Sequence, residues 1–184
     1  MEIEKKFLLL SMPQNLDEYK KKEIEQGYLN RKPVVRIRKS NNDYILTYKS
    51  SVKKEQDSDE AIVNNEIEAA LTKEAFYHLL EKIDGHVVEK TRYIIPIGTC
   101  HDNCPGLSVD DIDEDGRKSA DCELKIELDV FRGRLEGLQY AEVEFPTVAA
   151  AEAFKKPDWF GEDVTNDKRY RNGHLSEIES LDQF

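Results

Sequence analysis

The chain has 184 residues, of which 35% are charged and 39% hydrophobic, and a formal net charge of −11. That length suits one domain with a sizeable core, and the excess of acid excludes the broad lysine- and arginine-rich footprint of a nucleic-acid or anionic-membrane binder. No apolar run approaches the ~20 residues needed to span a bilayer, and three cysteines, Cys100, Cys104 and Cys122, in so long a chain point to a reducing cytosol, not a disulfide scaffold.

Strand-like segments come first, over residues 1–10, 26–29, 34–39, 44–50 and 63–70. Charged Glu2, Glu4, Lys5 and Lys6 open the chain, and apolar 7–10 is too short for a secretory core, so a cytoplasmic protein is expected. Asn41-Asn42-Asp43 reads as a tight hairpin turn between two strands. Thr72 then reads as an N-cap, with Glu74 in the first turn and Phe76, Leu79, Leu80 and Ile83 at helical spacing, and Asp84-Gly85 ends that helix.

Strands resume over 86–96, 123–131 and 140–145. Between them, 97–121 is acidic and poor in large apolar residues, and is read as a long exposed hairpin loop inserted between two strands. Its run 108–115 lacks the central glycine and closing glutamate of a calcium loop. Cys100, His101 and Cys104 lack a fourth zinc ligand at sensible spacing, Cys122 being only a loose one, and are read as loop residues without a role. His78, His86 and His174 have no visible catalytic partner. Thr147 caps a second helix from Val148 to about Lys156, stopped by Pro157. In the tail, 174–184, Leu175, Ile178 and Leu181 share one side of a short helix.

One pattern recurs in almost every predicted strand: charges at i and i+2, which share a face ~7 Å apart. They are Glu2, Glu4 and Lys6; Arg36 and Arg38; Glu66 and Glu68; Lys90 and Arg92; Glu127 and Asp129; Glu142 and Glu144. Any one pair is what a solvated sheet face shows. An ordinary wet face, however, mixes lysine with glutamate, whereas most of these pairs hold one sign. Like charges at that spacing repel, increasingly so as water is excluded, and a bound counter-ion offsets the repulsion. Clustered carboxylates suit Mg²⁺ or Mn²⁺, and clustered arginines and lysines suit a polyanion. Both clusters on one concave face make a metal-plus-polyphosphate site, and closing the sheet into a barrel turns that face into a polar lumen.

Glu2-Ile3-Glu4-Lys5-Lys6 resembles the Glu-x-Glu-x-Lys signature of the CYTH superfamily, the triphosphate tunnel metalloenzymes. The resemblance continues in order through Gln26-Gly27-Tyr28-Leu29, Val35-Arg36-Ile37-Arg38, Thr47-Tyr48-Lys49, Glu66-Ile67-Glu68, Glu89-Lys90-Thr91-Arg92-Tyr93, Leu128-Asp129-Val130-Phe131, Glu142-Val143-Glu144-Phe145 and Trp159-Phe160-Gly161, and on through Thr165 to Lys168-Arg169-Tyr170. It implies an α+β fold, mainly antiparallel: an eight-stranded β-barrel tunnel with flanking helices, in a single domain over 1–184 with the insertion at about 97–121. It further implies Glu2, Glu4 and Glu144 as leading metal ligands, supported by Glu66, Glu68 and Glu142. Lys6, Arg36, Arg38, Lys49, Lys90, Arg92 and Lys168 would hold phosphates.

In thiamine-triphosphatase-like members a tyrosine and a lysine act together in hydrolysis, and Tyr28 and Lys49 occupy matching positions. A wall residue near the tunnel mouth is the other reading of Tyr28. The implied activity is Mg²⁺- or Mn²⁺-dependent hydrolysis of a triphosphate, inorganic tripolyphosphate first. Class IV adenylyl cyclases of the superfamily carry a His-Phe motif ahead of the glutamate signature, for which Met1-Glu2 leaves no room. Adenylyl cyclisation, thiamine triphosphatase activity and a non-catalytic polyphosphate-binding module are the alternatives. The expected partner is a triphosphate-containing small molecule, with no nucleic acid or membrane, and a homodimer is the assembly considered.

Overall fold

A computed structural model describes residues 3–53, 62–106 and 122–184. Glu2, the acidic run 108–115 and the greater part of the expected insertion therefore lie outside the described residues.

The strands are β1 (Ile3–Leu9), β2 (Lys20–Arg31), β3 (Val34–Ser40), β4 (Asp43–Lys53), β5 (Ile62–Ala70), β6 (Val88–Thr99), β7 (Glu123–Phe131), β8 (Gln139–Phe145) and β9 (Phe160–Asp163). The helices are short: α1 (Lys73–Leu80), α2 (Cys100–Asn103), α3 (Val148–Ala153) and α4 (Asn172–Leu175). The chain divides into two compact units, each discontinuous in sequence. The first comprises Met1–Lys21, Thr91–Val130 and Gly137–Asp167; the second comprises Lys22–Lys90, Phe131–Glu136 and Lys168–Phe184.

In the first unit the strand order is β6-β7-β8-β1-β9, with antiparallel ladders from β7 to β8, β8 to β1 and β1 to β9. Alternation sorts its side chains. Phe7, Leu124, Ile126, Leu128, Ala141, Val143 and Phe145 turn to one apolar cluster, which Ala150 and Ala151 of α3 join. Glu4 and Lys6, Glu127 and Asp129, and Glu142 and Glu144 occupy the alternate positions, on the other face. In the second unit the order is β5-β4-β3-β2. Ile37 and Phe76 are fully buried there, and Phe76 of α1 stacks 5.3 Å from the Tyr44 ring. Gly27 lies on that apolar face, where an added Cβ would stand 2.6 Å from Ile83 Cγ2. Strand and side chain approach this closely only because the residue is glycine.

The antiparallel sheet with few helices is as expected. The closed eight-stranded barrel is a finer statement than the pairings reach, since β5 and β9 each have one strand neighbour among the described residues. The hydroxyls of Thr72 and Thr147 accept the backbone N–H groups of Ala75 and Ala150, the capping read from sequence. Asn41 turns with φ 54.

Several boundaries differ. The first helix stops at Leu80, before the expected Asp84-Gly85, and the second stops at Ala153, before Lys156. The expected tail helix starts earlier, at Asn172, and breaks after Leu175, with a separate 3-10 turn at Leu181–Gln183. The expected loop from 97 begins instead as the end of β6 followed by α2. Thr99 and Asp102 form a reciprocal capping box that supplies the helix start. No described helix is long and apolar enough to cross a membrane.

Candidate active site

The second unit carries a face of segregated charge. Register sets Tyr28 opposite Arg36, Arg36 opposite Thr47 and Thr47 opposite Glu68, one row across four strands. Gln26 pairs with Arg38, and Lys49 with Glu66, in the flanking rows. Period 2 along each strand then puts Tyr28, Arg36, Arg38, Thr47, Lys49, Glu66 and Glu68 on one side.

Arg36 Nη2 donates to Thr47 Oγ1 at 3.2 Å, and that hydroxyl donates to Glu68 Oε1 at 3.2 Å. Arg38 lies 3.7 Å from Glu68, and Lys49 lies 3.0 Å from Glu66. Arg36 Nε is buried without a hydrogen-bond partner, as is Gln26 Nε2. A buried donor left unsatisfied costs ~1–3 kcal/mol, and an anion reaching Arg36 would recover it.

Tyr28 is buried, and burial pushes its phenol above the ordinary value of 10.0, while Arg36, Arg31 and Lys49 pull it back only in part. The phenol is therefore neutral at neutral pH, beside the lysine and arginine that share its face.

Lys90 is 1% exposed. Its ammonium donates to Asn172 Oδ1 of α4 at 3.2 Å and sits 5.3 Å over the Phe131 ring. Three backbone carbonyls, of Ile178, Val87 and Leu175, accept from Arg134 and tie the chain around α4 in place. Lys168 is exposed on a 3-10 turn.

In the first unit, Glu4 stands directly opposite Glu144 on neighbouring strands, and Lys6 opposite Glu142. Carboxylates at such positions have Cβ atoms ~4.5–5.5 Å apart and repel. That arrangement fits a hard dication held by one or two carboxylates and completed by phosphate oxygens, as Mg²⁺ prefers. Among the described residues no three acidic, histidine or cysteine side chains converge tightly enough to hold a metal alone; Glu2 is not among those residues.

Lys6 is buried, with its ammonium 2.9 Å from Glu142 Oε1 and 4.7 Å over the Tyr140 ring. Arg92, on β6, meets Glu127 and Asp129 of β7 and Glu142 of β8. Its Nε and Nη2 each lie 2.6 Å from an Asp129 oxygen, its Nη2 also lies 2.5 Å from Glu142, and its Nη1 bonds Glu127. Burial alone would pull the guanidinium down, but Asp129, Glu142 and Glu127 outweigh it and hold it well above its ordinary value. Burial lifts Glu127 less than Arg92 and Lys125 lower it, so its carboxyl lies below its ordinary value.

Thus the structure gathers Tyr28, Arg36, Arg38, Lys49, Glu66 and Glu68 on one face, and Glu4, Lys6, Arg92, Glu142 and Glu144 on another. Thr47, Gln26 and Asn172 were given no site role from sequence, and Asp129 stood there only as one of a charge pair with Glu127. Their polarity was visible, but their partners are fixed by strand register and long-range contacts. The cysteines differ from the expected loop residues: Cys100 and Cys104 are buried in the apolar cluster with Cys122 packed against it. The Cys100 N–H donates to the Cys122 carbonyl at 2.8 Å. Burial, with help from the neighbouring Cys122 and Cys104 thiols, pushes the Cys100 thiol up to about 12. Neutral thiols in an apolar setting are poor zinc ligands.

No family model matches the chain. Relatives do. An inorganic triphosphatase of Nitrosomonas europaea is 34% identical over 178 residues, covering 95% of this chain and 96% of that protein. An inorganic triphosphatase of Acetivibrio thermocellus is 40% identical over 84 residues, covering 45% of this chain and 53% of that one. Among solved structures, the crystal structure of an inorganic triphosphatase superposes with a TM-score of 0.64 at 34% identity, covering 98% of this chain and 97% of the other. Identity of this degree, sustained along nearly the whole of both chains, establishes that this chain belongs to the inorganic triphosphatase family.

Proposed function

We propose that the protein hydrolyses inorganic tripolyphosphate to pyrophosphate and orthophosphate with Mg²⁺ or Mn²⁺. The observation that carries this reading is the cationic row of the second unit. Arg36 keeps a buried, unpaired Nε beside Thr47, and Arg38 and Lys49 lie on the same face. The relatives named as inorganic triphosphatases support it. The reading takes the whole chain as one functional domain, in the cytoplasm, and includes the eight-stranded tunnel that the resemblance implies.

In this reading Arg36, Arg38 and Lys49 hold phosphate oxygens, with Lys6, Lys90, Arg92 and Lys168 as further phosphate contacts. Glu2, Glu4 and Glu144 are the leading metal ligands, and Glu66, Glu68 and Glu142 support them. A bound divalent cation neutralises charge on the transferring phosphoryl group. Glu66 and Glu68 lie beside Lys49 and Arg38, which holds the cations on the face where phosphate would meet them. Water attacks the terminal phosphorus in line: the new P–O bond forms as the bridging P–O bond breaks, and pyrophosphate leaves. Lys49 and Tyr28 position that water, and Tyr28 takes its proton when in its minor phenolate form.

The test is a panel of tripolyphosphate, ATP, thiamine triphosphate and pyrophosphate, each with Mg²⁺, Mn²⁺ and Ca²⁺, with products identified. Phosphate release from tripolyphosphate ahead of the others is expected. Cyclic AMP from ATP, or tight triphosphate binding with no release under any metal, would overturn the reading.

The Tyr28 proton gives a sharper check. Because its phenol is held above 10.0, the phenolate fraction is small at pH 7 and rises with pH. The wild-type rate should therefore climb through the alkaline range, and Tyr28→Phe should flatten that climb. An identical alkaline limb in the variant returns Tyr28 to a packing role.

A further inference from the structure

Arg92 offers a planar fork, and the fork is already occupied. Asp129 takes Nε on one oxygen and Nη2 on the other, both at 2.6 Å. This is the bidentate geometry in which arginine and carboxylate bind most strongly. Asp129 is 0% exposed, so its charge is tolerable only because a cation meets it. From that seat the guanidinium reaches Glu142 at 2.5 Å and Glu127. Glu142 in turn accepts the Lys6 ammonium at 2.9 Å.

These contacts form one chain across four strands: Asp129 and Glu127 on β7, Arg92 on β6, Glu142 on β8 and Lys6 on β1. They engage most of the five N–H donors of an arginine. A phosphate contact made by Arg92 would therefore be set by where Asp129 holds the fork, and so would the direction of the Glu142 carboxylate.

We propose that Asp129 is a positioning residue: through Arg92 it fixes the Glu142 carboxylate and the one face of the guanidinium left for substrate. The inference rests on the triphosphatase reading and adds to it a residue that touches neither phosphate nor metal. Glu127 shares the task from the partly exposed side of the same fork.

The test measures kcat, KM for tripolyphosphate and the Mg²⁺ concentration for half-activation in wild type, Asp129→Asn, Arg92→Ala and the double variant. Asp129→Asn is expected to lower kcat roughly 10–100-fold, the range for an outer-shell partner, and to raise the Mg²⁺ requirement several-fold. Added to Arg92→Ala it should cost less than about twofold more, because both act through one group.

Full additivity of the two substitutions, or an Asp129→Asn enzyme with wild-type kcat and Mg²⁺ requirement, overturns the inference while leaving the triphosphatase reading intact. A wild type inactive on every triphosphate overturns both. Should Asp129→Asn fail to fold, Glu127→Gln carries the same cycle with Arg92→Ala, and additivity there is equally fatal.

Discussion

Arg36→Ala is expected to lower kcat/KM for tripolyphosphate roughly 10²–10³-fold, the usual loss when one preorganised donor to a developing anion is removed. Arg36 donates Nη2 to Thr47, hydrogen-bonds Tyr28 and leaves a buried Nε without a partner. Removing it loses two contacts together with one unsatisfied donor, so the effects on stability offset in part. Thermal unfolding should shift by no more than a few degrees. Arg36→Lys discriminates further, since an ammonium keeps the charge but not the fork, and it should recover only part of the loss. Wild-type turnover in Arg36→Ala would remove the cationic row from the site.

Glu4→Ala is expected to reduce turnover at least ~100-fold at ordinary Mg²⁺, with part of the loss recovered as Mg²⁺ is raised. The reason is its register against Glu144. Carboxylates directly opposed on neighbouring strands repel and suit a shared dication, so the variant should lose activity without a comparable loss of stability. A Glu4→Ala enzyme equally active at every Mg²⁺ concentration would refute the metal assignment.

Much of this was legible in the sequence because strand periodicity is local. The i, i+2 pairs Arg36/Arg38, Glu66/Glu68 and Glu142/Glu144 each share a face in the structure, and Thr72 and Thr147 cap the helices their positions announced. What escaped depends on residues far apart in the chain. The fork of Asp129 on Arg92 spans 37 positions and the Arg92–Glu142 contact 50, and only the pairing of strands reveals them.

β9 was missed because it is four residues long and half acidic; its ladder to β1, not its propensity, makes it a strand. β2 begins well before residue 26, and this start was not read because Lys20-Lys21-Lys22-Glu23 carries no apolar alternation. α2 was hidden by the acidic composition around it, though Thr99 and Asp102 stand at capping-box spacing.

The three cysteines give the protein a built-in reporter of its own opening. Two are buried, and the Cys100 thiol is pushed up to about 12, so at neutral pH a thiol-directed dye meets few thiolates in the native state. The half-buried Cys122 is the first to be labelled. Full labelling then follows the rate at which the apolar cluster comes apart, which allows unfolding to be timed by the dye's colour without an engineered cysteine.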